Sequence, residues 1–185
     1  IIVGDCRSIL PTLPDESVHC VLTSPPYFRQ RDYGMAGQIG QEATPADLAE
    51  ALSLVFAEAH RVLRPDGCLW LQIGDTYAAG GNGGGGSLVA KRRQWTGAHE
   101  RKGWRRQSPG FKEKDITLTP FLVADTLRAD GWYLRSTIIW DKQTATEPPR
   151  LDRPSTAHEY LFLLTILEIV RVTQNRVAVE ARLPR

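Results

Sequence analysis

The stretch VHCVLTSPPYFRQRDYG, residues 18–34, decides the fold class. Val18–Thr23 is apolar and β-branched, as expected of a central strand in a parallel sheet. It stops at Ser24-Pro25-Pro26-Tyr27. Two consecutive prolines fix φ and remove two N–H donors, so a ladder cannot continue through them. What remains is a rigid turn rich in acceptors, the carbonyls and the Ser24 hydroxyl, with the flat face of Tyr27 beside them. In open α/β sheets ligands sit at the C-terminal ends of strands. A turn of this composition there suits a planar group bearing an amino substituent. Its N–H bonds can point at Ser24 and a proline carbonyl while its ring stacks on Tyr27, which fixes the direction of the nitrogen lone pair. The bland alternative is a strand-ending turn with Tyr27 packed on the core.

Outward from this turn, strands and helices alternate. IIVGD, residues 1–5, reads as a short first strand. From Thr44 a helix is expected, with Thr44 as cap, Pro45 at the first position and Asp47 in the first turn. Leu48, Leu52, Val55, Phe56, Ala59, Val62 and Leu63 form its apolar stripe. RPDG, residues 64–67, ends that helix, and CLWLQIGD, residues 68–75, is the next strand. A second helix starts at Thr119-Pro120, turns Phe121, Ala124 and Leu127 inward and stops near Gly131. WYLRSTIIWDK and EYLFLLTI are two further strands. The pattern predicts an α/β fold with a doubly wound, mostly parallel sheet. The expected organisation is one domain over residues 1–185, with a basic insertion at about 79–116 and an atypical tail at 166–185.

With 185 residues, 42% hydrophobic and 24% charged, the composition is that of a globular domain. No apolar run reaches membrane-span length, and no signal peptide is read at the N-terminus. Three scattered cysteines argue for a reducing compartment rather than a disulfide framework. The four histidines are dispersed and no metal-binding spacing occurs, so no metal site is expected. The chain begins at Ile1, which leaves room for its being a segment of something longer.

The net charge of +2 is unevenly distributed. AGGNGGGGS, residues 79–87, lacks the Gly-Lys-Ser/Thr of a phosphate loop. Residues 91–114 then hold nine Lys or Arg and two Glu, with Trp95, Trp104 and Phe111 interleaved. A solvated loop is one reading. The favoured reading is a mobile nucleic-acid-facing loop, with Arg92, Arg93, Arg105 and Arg106 on phosphates and the aromatics on bases.

GDCRSILPTLPDESVHCVLTSPPY, RDYG…GQIGQE, RVLRPDGCLWLQIGDTYA, ADGWYLRSTIIWDK and DRPSTAHEYLFLLT stand in order. Together they resemble the amino-methylating DNA methyltransferases, which modify cytosine N4 or adenine N6. The likeness is to the arrangement in which the catalytic Ser-Pro-Pro-Tyr motif precedes the cofactor's glycine motif, and it covers about residues 1–165. It implies a Rossmann-like fold, S-adenosylmethionine as cofactor and double-stranded DNA as partner. Ser24, Pro25, Pro26 and Tyr27 would hold a base flipped from the duplex. Asp5 and Cys6 match the position that reads the adenine of the cofactor, and Thr23 is expected to touch the cofactor. Asp32, Tyr33 and Gly34 match a loop near the target base. Ser in the first motif position leans toward cytosine N4, with adenine N6 as the alternative. Bacterial or phage-infected cytoplasm follows from the class.

Cytosine C5 chemistry is excluded, because that family needs a nucleophilic cysteine after a proline and none of Cys6, Cys20 and Cys68 follows one. Cys20 and Cys68 read as inert core residues. His158-Glu159 reads as a pair that positions a strand edge. The family's glycine motif, expected after AHEYLFLLT, is not found, and no Gly follows Gly131. Weak cofactor binding by these residues alone is therefore expected, unless a second chain or a missing segment supplies the loop. Two rivals stand beside DNA methylation: methylation of a protein or RNA amide, and a non-catalytic DNA-binding remnant.

Overall fold

The computed structural model describes residues 1–78, 110–143 and 151–168. Helix α1 spans Cys6–Ile9 and runs into a 3₁₀ turn at Leu10–Thr12. Strand β1 is Val18–Thr23, helix α2 Pro45–Val62 and strand β2 Leu63–Ile73. Helix α3 is Thr119–Ala129, and strands β3 and β4 are Tyr133–Asp141 and His158–Thr165. The sheet order is β1-β2-β4-β3.

Three of the four strands run the same way. β1 pairs with β2 in parallel, whereas β4 is inserted antiparallel between β2 and β3, so both of its ladders are antiparallel. The sequence expectation of a mostly parallel sheet therefore holds for strand direction but not for the ladders. A parallel pair needs a long crossover, usually a helix, and β3 and β4 are the one consecutive pair with no helical pattern between them. Their ladder is closed at its end by Lys142 N–H donating to the Ala157 carbonyl at 2.8 Å.

The two crossovers, β1-α2-β2 and β2-α3-β3, step along the sheet in one direction. Right-handed connections then place both helices on the same face. That is what the core records: Leu48, Leu52 and Phe56 of α2 and Val123, Ala124 and Leu127 of α3 cover Leu69, Leu71, Ile73, Phe162 and Leu164 of the sheet. Covering the second face, as a doubly wound sheet requires, takes a crossover running the other way. None occurs among the described residues. The opposite face carries Leu22, 75% exposed, and Trp140, 51% exposed. Cys20 and Cys68 face each other across β1 and β2 with their sulfurs 4.0 Å apart, and Cys20 is exposed rather than in the core.

Helix α2 begins with the capping box that Thr44 and Asp47 foreshadow, each side chain accepting from the other's backbone N–H at 3.1 and 2.9 Å. It ends earlier than its sequence suggests. Val62 is its last residue, and Leu63 already pairs with Val18, so RPDG lies inside β2. Arg61 ties this corner to the N-terminal segment by donating to the carbonyls of Leu10 and Leu13 at 2.9 and 3.0 Å and pairing with Glu58 and Asp15. Phe121 is 41% exposed, not inward, and packs edge-on against Tyr160 with ring centres 4.8 Å apart. The expected strand at IIVGD is absent. Ile1–Val3 are exposed and join no ladder among the described residues, although the outer edge of β1 carries no strand there.

Candidate active site

Four strand ends converge on one side of the sheet. Ser24–Tyr27 follows the C-terminal end of β1, and Gly74–Tyr77 follows that of β2. Lys142 follows β3, and antiparallel β4 starts there with His158 and Glu159. Between them opens a cavity of about 740 Å³, lined by Ser24 to Tyr27, Gln30, Arg31, Tyr33, Gly74 to Tyr77, Lys142, Arg153, Thr156, His158 and Glu159. Its walls mix cations and carboxylates with tyrosine and histidine rings that can present flat faces. Arg153 lies over the Tyr77 ring at 3.5 Å from its centre.

The Ser-Pro-Pro-Tyr turn is braced from behind. Gly40, with φ of +104°, brings its backbone against Pro26, where a Cβ would stand 2.8 Å from the Pro26 Cβ. Its carbonyl accepts from Arg29 N–H at 2.7 Å, and Arg29 in turn donates to the carbonyls of Glu42 and Ala43. This gives the GQIGQE segment a physical purpose: it is the wall on which the two prolines rest.

Tyr27 is fixed from its hydroxyl end. The phenol donates to Glu159 Oε2 at 2.8 Å and accepts from the Ser24 hydroxyl at 3.3 Å. Glu159 also accepts from Gln72 Nε2 at 2.7 Å and pairs with Lys142 through its other oxygen. Burial alone pushes the Glu159 carboxyl up, but the bonds from Lys142, Gln72 and Tyr27 outweigh it and hold the group below the ordinary glutamate value. Burial, together with the bond to anionic Glu159, pushes the Tyr27 phenol up to about 12, against a smaller opposing effect of the Ser24 bond. The ring itself lies on Gly74, where a Cβ would meet Tyr27 Cε2 at 2.8 Å.

Asp75 organises the second wall. Its Oδ1 accepts from Thr76 N–H at 2.8 Å, the Thr117 hydroxyl at 2.9 Å and Thr119 N–H at 3.2 Å. Leu118, left-handed at φ 53°, makes no side-chain cap for α3, so Asp75 caps it from a distant part of the chain. Its Oδ2 is buried with no partner among the described residues, and burial raises its carboxyl above the ordinary aspartate value. Beside it, Thr76–Ala78 pairs with residues 114–117, through Ala78 N–H to the Asp115 carbonyl at 2.8 Å and Thr117 N–H to the Thr76 carbonyl at 2.9 Å. These two segments flank the basic insertion in the sequence.

Of the residues singled out in the sequence, Ser24, Pro25, Pro26, Tyr27 and Tyr33 line the cavity. Thr23, Asp5 and Cys6 are not among the described residues lining the cavity. Asp5 caps α1 instead, and its exposed carboxylate is held down to about 2 by hydrogen bonds from Arg7. Arg92, Arg93, Arg105 and Arg106 lie outside the described residues. Glu159 is more than a strand-edge residue: its side chain is only 13% exposed and faces the cavity. Asp75 and Glu159 were missed as site residues, although each stands where a strand end meets the ligand side of the sheet. Among the described residues no group of three or more His, Cys, Asp or Glu could hold a metal, and no helix is long and apolar enough to cross a membrane.

A model of the N6/N4 DNA methylase family matches residues 18–173. The chain belongs to this family. Among its relatives are the type II methyltransferase M.SmaI of Serratia marcescens, 41% identical over 171 residues, and M.Cfr9I of Citrobacter freundii, 42% identical over 169. The matches cover 89% and 88% of this chain but 55% and 52% of those proteins. The chain thus spans about half the length of the curated relatives it matches. A solved DNA modification methylase from Thermus thermophilus, in complex with S-adenosyl-L-methionine, is 26% identical with a TM-score of 0.55, over 88% of this chain and 53% of that one. The cytosine-N4-specific PvuII DNA methyltransferase superposes with a TM-score of 0.58 at 19% identity, over 90% of this chain and 48% of that one, a likeness of fold. These neighbours place the mixed sheet within the Rossmann-like fold that the N6/N4 methylase motifs imply.

Proposed function

We propose that the chain carries the base-holding half of a DNA amino-methyltransferase, which moves a methyl group from S-adenosylmethionine to the exocyclic amine of a flipped base. Cytosine N4 is the favoured amine and adenine N6 the alternative. The observation that carries the reading is the sense of the hydrogen bonds in the turn. The Ser24 hydrogen is committed to Tyr27 and the Tyr27 hydrogen to Glu159. Toward a ligand Ser24 is therefore an acceptor, matched to an amino group, and beside it stands a ring that cannot slide.

The residues fit the cofactor at its transfer end. The cavity adjoins the turn, and the buried Oδ2 of Asp75 in its wall, which has no partner among the described residues, suits a cationic group. When bound, S-adenosylmethionine would supply an electrophilic methyl. Asp5, Cys6 and Thr23 remain proposed contacts to its adenosine end, for which Asp5 must exchange Arg7 for the ligand. A glycine loop from a further segment or a second chain would hold its methionine end. The chain's own residues do the orienting. Ser24 Oγ and a proline carbonyl accept the two amine hydrogens, and Tyr27 stacks on the base. The nitrogen lone pair is thereby aimed along one line. No covalent enzyme intermediate is needed.

The basic insertion, with Arg92, Arg93, Arg105 and Arg106, would face the phosphates of double-stranded DNA. A place of action in the cytoplasm accompanies a DNA substrate. Ser24 and the insertion favour DNA over a protein or RNA amide, and the family match through the motif blocks favours an enzyme over a non-catalytic remnant. The test is transfer of labelled methyl from S-adenosylmethionine, by this chain together with the segment or second chain that supplies the glycine loop, to unmethylated duplex DNA and, separately, to a protein mixture. Label in DNA as N4-methylcytosine is expected. Label in protein alone would overturn the reading, and N6-methyladenine would correct the base.

A further inference from the structure

Glu159 is largely buried, charged and outside the acceptor turn, and the proposed reaction gives it no step. Its surroundings assign it one. A carboxylate can only accept, and this one receives donors from three elements: Tyr27 after β1, Gln72 in β2 and Lys142 after β3. Lys142 supplies the compensating charge that lets a carboxylate remain ionised in so enclosed a place. Arg31, which also lines the cavity, acts on Tyr27 in the opposite sense to Glu159.

Because Glu159 cannot donate, Tyr27 must. A phenol that has spent its hydrogen on Glu159 can only accept from Ser24, which it does at 3.3 Å. The Ser24 hydroxyl thereby loses its freedom to donate toward the cavity. One carboxylate at the far end of the chain thus sets the polarity of the hydroxyl at the near end. It also pins the ring whose face must receive the base, while Gly74 supports that ring from beneath.

We propose that Glu159 is the positioning residue of this site, fixing Tyr27 and, through it, setting Ser24 as a dedicated acceptor for the target amine. The inference rests on the function proposed above. In Glu159→Gln the shape is kept, but the amide must present its NH₂ either to Tyr27 or to Lys142. The donor chain then loses its single direction.

The test uses the chain, parent or variant, together with the segment or second chain that supplies the glycine loop. In methyl transfer, Glu159→Gln is expected to lower kcat ten- to a hundredfold, the order that misplacing a reacting group costs, with KM for DNA within about twofold of the parent. Tyr27→Phe removes the relay, so adding Glu159→Gln to it should cost less than about twofold more. Losses that multiply, or an unchanged kcat in the single variant, would overturn the proposal. A second readout needs no turnover. With tyrosine labelled at ¹³Cζ, the Tyr27 resonance should titrate about one pH unit lower in Glu159→Gln than in the parent, because a neighbouring negative charge has gone. If the parent transfers no methyl to any acceptor, the function reading has failed and this resonance alone decides the role of Glu159. An unmoved Tyr27 titration would overturn it.

Discussion

Replacing Gly74 by alanine is the sharpest perturbation of the site that leaves its chemistry untouched. The new methyl carbon would stand 2.8 Å from Tyr27 Cε2, 3.2 Å from Cδ2 and 3.3 Å from Glu159 Cγ. Carbon atoms rest at about 3.5–4.0 Å, so the closest contact is short by about 0.7–1.2 Å. Gly74 does not occupy the left-handed region, so the alanine backbone is unstrained and the effect is steric alone. The ring has little room to yield. Its hydroxyl is bonded to Glu159 at 2.8 Å, Glu159 is bonded to Gln72 at 2.7 Å, and Pro26 rests on Gly40. Overpacking of this kind costs about 1–3 kcal/mol of stability. A ring displaced by most of an ångström from its stacking position should lower kcat on the order of a hundredfold. Urea unfolding followed by tryptophan fluorescence gives the first number, and methyl transfer at saturating DNA gives the second. A Gly74→Ala chain with the parent's unfolding midpoint and kcat would refute the claim that Tyr27 is held between Gly74 and Glu159.

Further outcomes follow from the same geometry. Tyr27→Ala should remove about 1–3 kcal/mol of base stacking, read as weaker binding of DNA carrying an unpaired target base. Asp75→Ala leaves Thr117 and Thr119 without their acceptor and α3 without its cap, and should cost about 1–3 kcal/mol in thermal unfolding. Glu159 titrates lower in the fold than its ordinary 4.5. It therefore contributes stability that is present above pH 4.5 and lost as pH falls through the folded value. The stability gap between the parent and Glu159→Gln should accordingly shrink on acidification below pH 4.5, in urea titrations at stepped pH. Neutralising Arg92, Arg93, Arg105 and Arg106 together should weaken DNA binding and reduce the salt slope by up to about 4, at roughly 0.9 per phosphate contact.

The turn at residues 24–27 was legible because its signal is local. A β-branched run cut by two prolines fixes a strand end whatever the rest of the fold does. The start of α2 was legible for the same reason, since Thr44, Pro45 and Asp47 carry their own geometry. What the sequence concealed is set by partners distant along the chain. The antiparallel insertion of β4 between β2 and β3 decides which strand starts face the cavity, and no spacing in HEYLFLLT announces it. Glu159 looked like an edge residue because its importance depends on Tyr27, 132 positions away. Asp75 looked like the polar end of a strand, but it caps a helix 44 positions on. IIVGD shows the converse. Its apolar residues meet the local requirements of a strand, yet they join no ladder among the described residues.

The most direct test of the account is nucleoside mass spectrometry of DNA from a host that lacks its own DNA methylation and expresses this chain with the segment that supplies the glycine loop, beside the same host carrying Tyr27→Ala. The account predicts N4-methylcytosine with the parent chain and its loss with the variant. N4-methylcytosine that persists undiminished in Tyr27→Ala, or methylated protein with unmodified DNA, would contradict it.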